Sequence, residues 1–391
     1  MGTEEVLMPA SKVKAAVMTD FNRIEIQYFP YPAVAPDGAL VRMKMCGICG
    51  TDKHLFVGMP PAPLFVKTPL ILGHENLGII EEIGAAAKTK MAVQGGELSP
   101  GDRVTWYAGI PCGECYHCRF FPSNYPGTLC LNAKGYGQNL SAADPPHLFG
   151  GYAEYCYLLP GVWVYRIPND MSDEVAVLTD VFAATIGVRK GMMASPVLKE
   201  GFGPGDTVVI QGSGPIGMAA GITAWLAGAY RIILVGGMKA RLKIADELGV
   251  FDHIVDIDEI PDNFERAFYI ASLTPHGYGA DMVVECAGVP DAVPEGLAVL
   301  RRGGTFIELG NFLNTGSTTI NPFTDLCFKN VTLLGQWSCP PQSFDVALKL
   351  MEMAMQRGIP LEKMVTHRFA IEQAEEALKT NVYMKGVIVP A

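Results

Sequence analysis

Between Asp206 and Leu309 the chain alternates two kinds of apolar pattern. Short unbroken apolar runs at Asp206–Gln211, Arg231–Val235, Met282–Glu285 and Thr305–Leu309 have the length of buried strands. Between them, Gly217–Leu226, Lys239–Leu248 and Asp291–Leu300 carry helix-compatible spacing. Strand–helix alternation of this kind predicts a parallel, doubly wound sheet, an α/β unit. The text before it differs. Val13–Val17, Ala39–Met45, Leu77–Ile83 and Arg103–Trp106 read as short strands punctuated by Gly and Pro, and 111–150 reads as loop rich in Cys, Pro, Gly and Asn. Beyond about residue 335 the pattern changes again, to helices at Phe344–Gln356 and Gln373–Leu378 and a closing strand at Gly386–Val389. One alternating block between two unlike segments predicts a nucleotide-binding domain inserted in a catalytic domain.

Composition narrows the class. With 391 residues, 49% apolar and 18% charged, the chain can build a large core and is not of disordered type. A net charge of −10 disfavours a nucleic-acid partner, which calls for a basic face. No apolar run is long enough to span a bilayer, and the start MGTEEVLMPASKVKAAVM lacks the basic and apolar regions of a secretory signal, so the expected location is the cytoplasm. Ten cysteines clustered at metal spacings then read as reduced thiols and ligands.

The turn Gly212-Ser213-Gly214-Pro215-Ile216-Gly217 follows a strand and opens a helix, the context that turns a weak glycine motif into a dinucleotide fingerprint. Gly212 permits the tight turn, Gly214 lets backbone approach a pyrophosphate, and Gly217 lets helix pack on strand. The carboxylate that usually follows at the end of the second strand, to hold the ribose hydroxyls, is missing: Gly236 stands there. Nothing at that point repels a 2′-phosphate. Lys239 and Arg241 are nearby cations, read equally well as solvated residues of the next helix, so both NAD and NADP stay open.

Cys112, Cys115 and Cys118 stand at two-residue gaps, and Cys130 follows after Arg119–Leu129. C-x2-C turns place successive thiolates on one tetrahedral zinc. Upstream, Cys49, His74 and Glu75 offer a sulfur, a nitrogen and a carboxylate, which suits a catalytic ion that keeps an open position. Taken singly, each of these three also has an ordinary reading as a buried hydrophobe, a cap and a surface charge.

The segments CGICGTDKHLFVG within Val41–Gly58, GHENLGIIEEIG, GDRV, the cysteine lobe, FGGYAEY and GSGPIG occur in this order over nearly the whole chain. Together they resemble the zinc-dependent medium-chain alcohol dehydrogenases, in the branch of threonine, sorbitol and bacterial secondary-alcohol dehydrogenases. The resemblance implies a GroES-like β-rich catalytic domain over 1–180, carrying the structural-zinc lobe and completed by 337–391, with a Rossmann insert over 181–336 and the active site between them. It implies catalytic zinc on Cys49 and His74 with Glu75 beside it. The third ligand falls in Val177-Leu178-Thr179-Asp180-Val181-Phe182, which selects Asp180. It gives Thr51 the role of passing the substrate proton towards the cofactor ribose and His54 that of the relay base beyond. A second zinc would sit on Cys112, Cys115, Cys118 and Cys130, although the gap before Cys130 is longer than the family's. The implied reaction is hydride transfer between a small alcohol or ketone and NAD or NADP in a homodimer or homotetramer. The rivals are threonine or polyol dehydrogenation, a zinc-free quinone or enone reductase of the same fold, a non-catalytic relative, and a zinc-ribbon binding protein. Intact Cys49, His74 and Asp180 argue against the zinc-free reductase.

Overall fold

The computed structural model describes residues 12–60, 66–120, 128–193 and 201–390. Most of the stretch before Cys130, Arg119–Leu129, falls at 121–127 and lies outside the described residues.

Six parallel strands form the nucleotide-domain sheet in the spatial order His253–Asp256, Arg231–Gly236, Thr207–Gln211, Ala280–Glu285, Leu300–Glu308 and Thr332–Gly335. The order reverses between Thr207–Gln211 and Ala280–Glu285, which opens a crevice beyond the carboxyl ends of those two strands. Side-chain alternation explains why the central strand reads as an unbroken apolar run. Val208 and Ile210 enter one core and Val209 the other, so both faces are buried. Helix Pro215–Leu226 starts with Gly214 as N-cap and Pro215 in its first turn, and it buries small residues, Gly217, Ala219, Ala220, Gly221 and Ala224. Two outer strands, His253–Asp256 and Thr332–Gly335, and helix Asn263–Ser272 were not legible in the apolar pattern. The helix is capped by Asp262, which accepts from the Phe264 and Glu265 amides. Its outer face carries exposed Phe264, Phe268 and Tyr269, and these blur its periodicity.

The second domain is built mainly on antiparallel ladders, with one parallel pair, Lys385–Ile388 and Val365–Phe369, at its end. Val164–Arg166, Arg103–Trp106, Glu75–Ile83, Ala39–Gly47, Lys385–Ile388 and Val365–Phe369 lie side by side, with Tyr155–Leu158 also pairing Ala39–Gly47. A three-stranded sheet of Arg23–Pro30, Lys12–Asp20 and Leu70–Ile71 completes it. The region 111–150, read as loop, contains the short helix Tyr116–Phe120 and a two-residue ladder between Gly109–Ile110 and Lys134–Gly135. Lys385–Ile388 runs antiparallel to Ala39–Gly47 with Val387 opposite Gly47, and Gly47 is in turn opposite Glu75. The C-terminal strand therefore delivers Lys385 beside Glu75. One apolar core is continuous across the two domains, joining Met45, Leu77, Tyr107 and Tyr165 to Val208, Ile210 and Phe344.

Candidate active site

Cys49 caps helix Gly50–Val57, and His74 and Glu75 open strand Glu75–Ile83 after Gly73, whose φ of 96° turns the chain sharply. The Cys49 sulfur, a His74 nitrogen and a Glu75 carboxylate oxygen all lie within 4.8 Å of one another. Asp52 organises this corner. Its carboxylate accepts from the amides of Cys49 at 2.9 Å and Gly73 at 3.3 Å, from the Tyr152 hydroxyl at 3.1 Å, and meets His74 Nδ1 at 3.1 Å. With Nδ1 on Asp52, Nε2 is the nitrogen left to a metal, the arrangement by which a carboxylate can orient a metal-binding imidazole. Burial opposes the charge on Asp52, but His74 and the Cys49 amide hold its carboxyl below the usual value.

Glu75 is buried, and Lys385 neutralises it: Nζ stands 2.8 and 2.6 Å from its two oxygens and 3.1 Å from the Ile48 carbonyl. Neither Asp52 nor Lys385 was singled out in the sequence. Asp52 had a local signal, its place beside Thr51; Lys385 lies 310 residues from Glu75 and had none. Asp180 sits in the first turn of helix Thr179–Ala184, outside the trio of ligand atoms. Burial pushes its carboxyl up to about 6, while the His74 charge works the other way and Glu75 adds to the rise, so it borders the same corner.

Thr51 Oγ1 lies 3.6 Å from Cys49 Sγ. His54 follows one helical turn on, half-buried, its ring stacked on Phe312 at 5.5 Å and its buried Nδ1 without a partner. Burial, aided by the neighbouring Lys53 charge, lowers its pKa and favours the neutral imidazole. Phe312 belongs to the loop that follows strand Leu300–Glu308, so the Cys49–His54 helix faces the carboxyl edge of the nucleotide-domain sheet.

The glycine turn has the form that a dinucleotide needs. Gly212 has φ 109°, and a Cβ on it would strike the Ala287 amide nitrogen at 2.8 Å. A Cβ on Gly217 would stand 1.8 Å from the Gly212 carbonyl oxygen, whereas nothing lies within 4 Å of one on Gly214. Gly214 is thus the open position in front of the unpaired amides of the helix, beside Pro215 and Ile216 of its first turn. Gly236 ends the second strand, packed so that a Cβ would meet Ser213 Cβ at 2.5 Å. Lys239 begins the next helix and is exposed. Arg241 is committed elsewhere: Nη2 donates to the Tyr383 carbonyl at 3.0 Å and the Asn381 carbonyl at 3.5 Å.

In the lobe, the sulfurs of Cys112, Cys115, Cys118 and Cys130 all lie within 4.8 Å of one another. Backbone amides already point at them, Cys112 N to Cys130 Sγ at 3.2 Å and Cys115 N to Cys112 Sγ at 3.4 Å. The Leu131 and Cys118 amides pull the Cys115 thiol down to about 6. Four converging sulfurs with amide donors fit a tetrahedral thiophilic ion, and the long stretch before Cys130 does not keep it from the cluster.

Comparison with known proteins bears on the family of the chain. Residues 35–169 match the alcohol dehydrogenase GroES-like domain, and residues 215–353 match the zinc-binding dehydrogenase family. The chain is 33% identical over 378 residues to 5-exo-hydroxycamphor dehydrogenase of Pseudomonas putida, covering 96% of this chain and 98% of that protein. It is 30% identical over 369 residues to L-idonate 5-dehydrogenase of Vitis vinifera, covering 94% and 91%. Among solved structures, an alcohol dehydrogenase from Thermotoga maritima superposes with a TM-score of 0.86 at 31% identity, covering 98% of this chain and all of that one. A protein of Sinorhizobium meliloti 1021 solved with NADP gives 0.78 at 27% identity, covering 97% of this chain and 100% of that one. Its fold and its relatives agree, and the chain belongs to the zinc-dependent medium-chain alcohol dehydrogenases, oxidoreductases that exchange hydride between an alcohol and NAD(P).

Proposed function

We propose that the enzyme interconverts a secondary alcohol, of alicyclic or polyol type, and its ketone, using one catalytic and one structural zinc per chain. The observation that carries this is the Cys49–His74–Glu75 trio, set on the helix that faces the carboxyl edge of the nucleotide-domain sheet. Zinc held there would act as a Lewis acid on the substrate oxygen, and NAD(P) on the glycine turn would accept the hydride. Cys49 and His74 are the firm protein ligands. Asp180 and Glu75 are the carboxylates that can complete the set, with Lys385 drawing Glu75 away. Thr51, able both to accept and to donate, takes the substrate proton, and the neutral His54 releases it towards solvent. The hydroxycamphor and idonate dehydrogenases among the relatives support a secondary carbinol as the reacting group.

With Gly236 in place of a carboxylate and Arg241 tied to backbone carbonyls, Lys239 is the cation left to meet a 2′-phosphate, and both cofactors are used. A homodimer is supported by strand Thr332–Gly335, which leaves one edge of the six-stranded sheet unpaired and Leu333 exposed. Elemental analysis tests the core of the proposal. The enzyme carries two zinc ions per chain, Cys49→Ser retains the lobe ion and the fold but loses turnover, and Cys115→Ser loses stability. A fresh preparation with one zinc or none, fully active on cyclic and acyclic secondary alcohols, would overturn it.

A further inference from the structure

Strands Ala280–Glu285 and Leu300–Glu308 end on two carboxylic acids placed opposite each other in register, Glu285 and Glu308. Both stand at the carboxyl edge of the sheet, Glu285 beside the crevice where the strand order reverses and Glu308 one strand further out. Glu285 is fully buried. Its Oε1 accepts from the amides of Ala287 at 2.6 Å and Gly288 at 2.8 Å, and its Oε2 lies 3.3 Å from Asn311 Nδ2. Glu308 Oε1 accepts from the Asn311 amide at 3.0 Å and from Asn311 Nδ2 at 3.2 Å. Its Oε2 is buried with no donor in reach. Glu285 packs closely on the backbone of the loop: a Cβ on Gly310 would stand 2.3 Å from its Oε2.

Two carboxylic acids meet here, Glu285 fully buried and Glu308 half-buried; a charge on Glu285 beside Glu308 is costly, and so is a buried carboxylate oxygen with no donor. A single proton between them removes both penalties. Gln211, at the end of the strand on one side, and Gln336, just past the strand on the other, are neutral. Lys190, on the helix Ile186–Met192 packed against the two outer strands, has its Nζ on the carbonyl of Gly335, opposite Glu308, at 3.3 Å, and no ion pair joins either acid to a Lys, Arg or His among the described residues. The Cys286 thiol is pushed well up, mainly by burial, and stays neutral. His54 lies beyond the Phe312 ring. Burial and then the Glu308 charge raise Glu285 to about 8, in keeping with one retained proton at neutral pH.

We propose that Glu285 keeps a proton directed at Glu308, and that this proton lets both acids hold Asn311, clamps the loop Gly310–Thr315 and so seats Phe312 on His54. The pair positions the relay side of the cleft and does not itself touch the reacting atoms. The Phe312 carbonyl accepts from Trp337 Nε1 at 2.9 Å, so the same clamp steadies the segment that leaves the nucleotide domain. The proposal rests on the dinucleotide reading of the crevice only for its consequence in catalysis, because the clamp itself exists without cofactor.

The sign follows from linkage. The clamped loop holds a proton that the opened loop, with ordinary carboxyl groups, releases near pH 4.5, and Glu285 in the clamp gives it up near about 8. Clamping is strongest below the lower value, weakens as pH rises between the two, and is least at and above the upper one.

Amide hydrogen exchange of the 309–316 segment in the cofactor-free, metal-loaded enzyme tests this. After correction for intrinsic rates, loop opening increases by roughly tenfold per pH unit between about pH 6 and 8 and then levels off. In Glu308→Gln the amide donates to Glu285 without any proton, and the profile is flat. Glu285→Gln gives a second route to the same result should the first variant fold poorly. A wild-type profile that is already flat, or Gln variants that titrate like the wild type, overturns the clamp. Fluorescence titration with NADH and NADPH is run alongside. Failure of both to bind while the exchange result holds would remove the dinucleotide reading and leave the clamp standing.

Discussion

Glu75 and Lys385 form an ion pair whose side chains are 2% and 3% exposed, too deep for either charge to stand alone. Breaking such a pair from one side costs about 3–5 kcal/mol, because the surviving charge stays buried. Lys385→Met is therefore expected to lose stability on that scale in denaturant unfolding, and the double variant Glu75→Gln/Lys385→Met to recover most of it. Equal losses in the single and double variants would mean that Lys385 serves only the Ile48 carbonyl. Asp52 offers a cleaner view of the metal. Asp52→Asn keeps the shape but weakens the hold on His74, so chelator competition should show about a 10- to 100-fold loss of zinc affinity in the cleft and none in the lobe. The same residues show what a sequence can disclose at this scale. That Cys49, His74 and Glu75 come together was legible because their types suit a metal and because His74 and Glu75 are adjacent. Lys385 was not, because its role arises only when the last strand docks against Ala39–Gly47. Glu285 and Glu308 read as the ends of two strands; only the parallel register sets them face to face.

Elements whose residues are fixed by backbone contact were the most legible. The glycine turn declared itself because a Cβ at Gly217 would overlap the Gly212 carbonyl, whatever the rest of the fold does. This separates two substitutions that look alike in the sequence. Gly217→Ala forces the helix off the strand, so it should lower the melting temperature and abolish NADH binding together. Gly214→Ala meets nothing in the protein, so it should melt like the wild type and yet bind dinucleotide poorly, as its methyl enters the phosphate's space. Normal NADH affinity in Gly214→Ala would show that the pyrophosphate does not approach this turn. The end of the second strand is less simple than its sequence suggests. Gly236 stands where relatives with a ribose-binding carboxylate would place it, but Ser213 fills the space in front, its hydroxyl donating to the Gly237 carbonyl at 2.7 Å. Adding a carboxylate at Gly236 alone should displace the glycine turn and weaken both cofactors, so a change of preference requires Ser213 to be made smaller as well. Helix Asn263–Ser272 and strand Thr332–Gly335 escaped notice for the opposite reason: each keeps an exposed apolar face, and periodicity reports burial, not shape.

At the scale of the whole molecule, the two domains are distinct in topology but not in packing. Phe344 is fully buried on helix Ser343–Gln356, with its ring 5.7 Å from Tyr107 and 5.5 Å from Tyr165, both from the antiparallel domain. The same helix packs on Thr179–Ala184 and on Pro215–Leu226, the helix of the glycine turn. Tyr165 also donates to the Pro341 carbonyl at 2.6 Å, and Thr128, close to Cys130, donates to the Cys339 carbonyl at 3.0 Å. The crossover into this helix is therefore gripped by the β-rich domain and by the cysteine lobe, while the helix itself rests on the nucleotide domain. A continuous core of this kind makes the domains unfold together, so the metal-loaded enzyme should show one cooperative transition by both far-ultraviolet circular dichroism and tryptophan fluorescence. Phe344→Ala empties the joint. Its cost is about 3–5 kcal/mol for a buried aromatic, and because the lost contacts lie between the domains, the single transition should separate into two with a shallower slope in denaturant for each. Should the wild type already unfold in two steps, with Phe344→Ala moving one step alone, the ring would belong to a single domain's core and the closure of the cleft would rest on the metal corner instead.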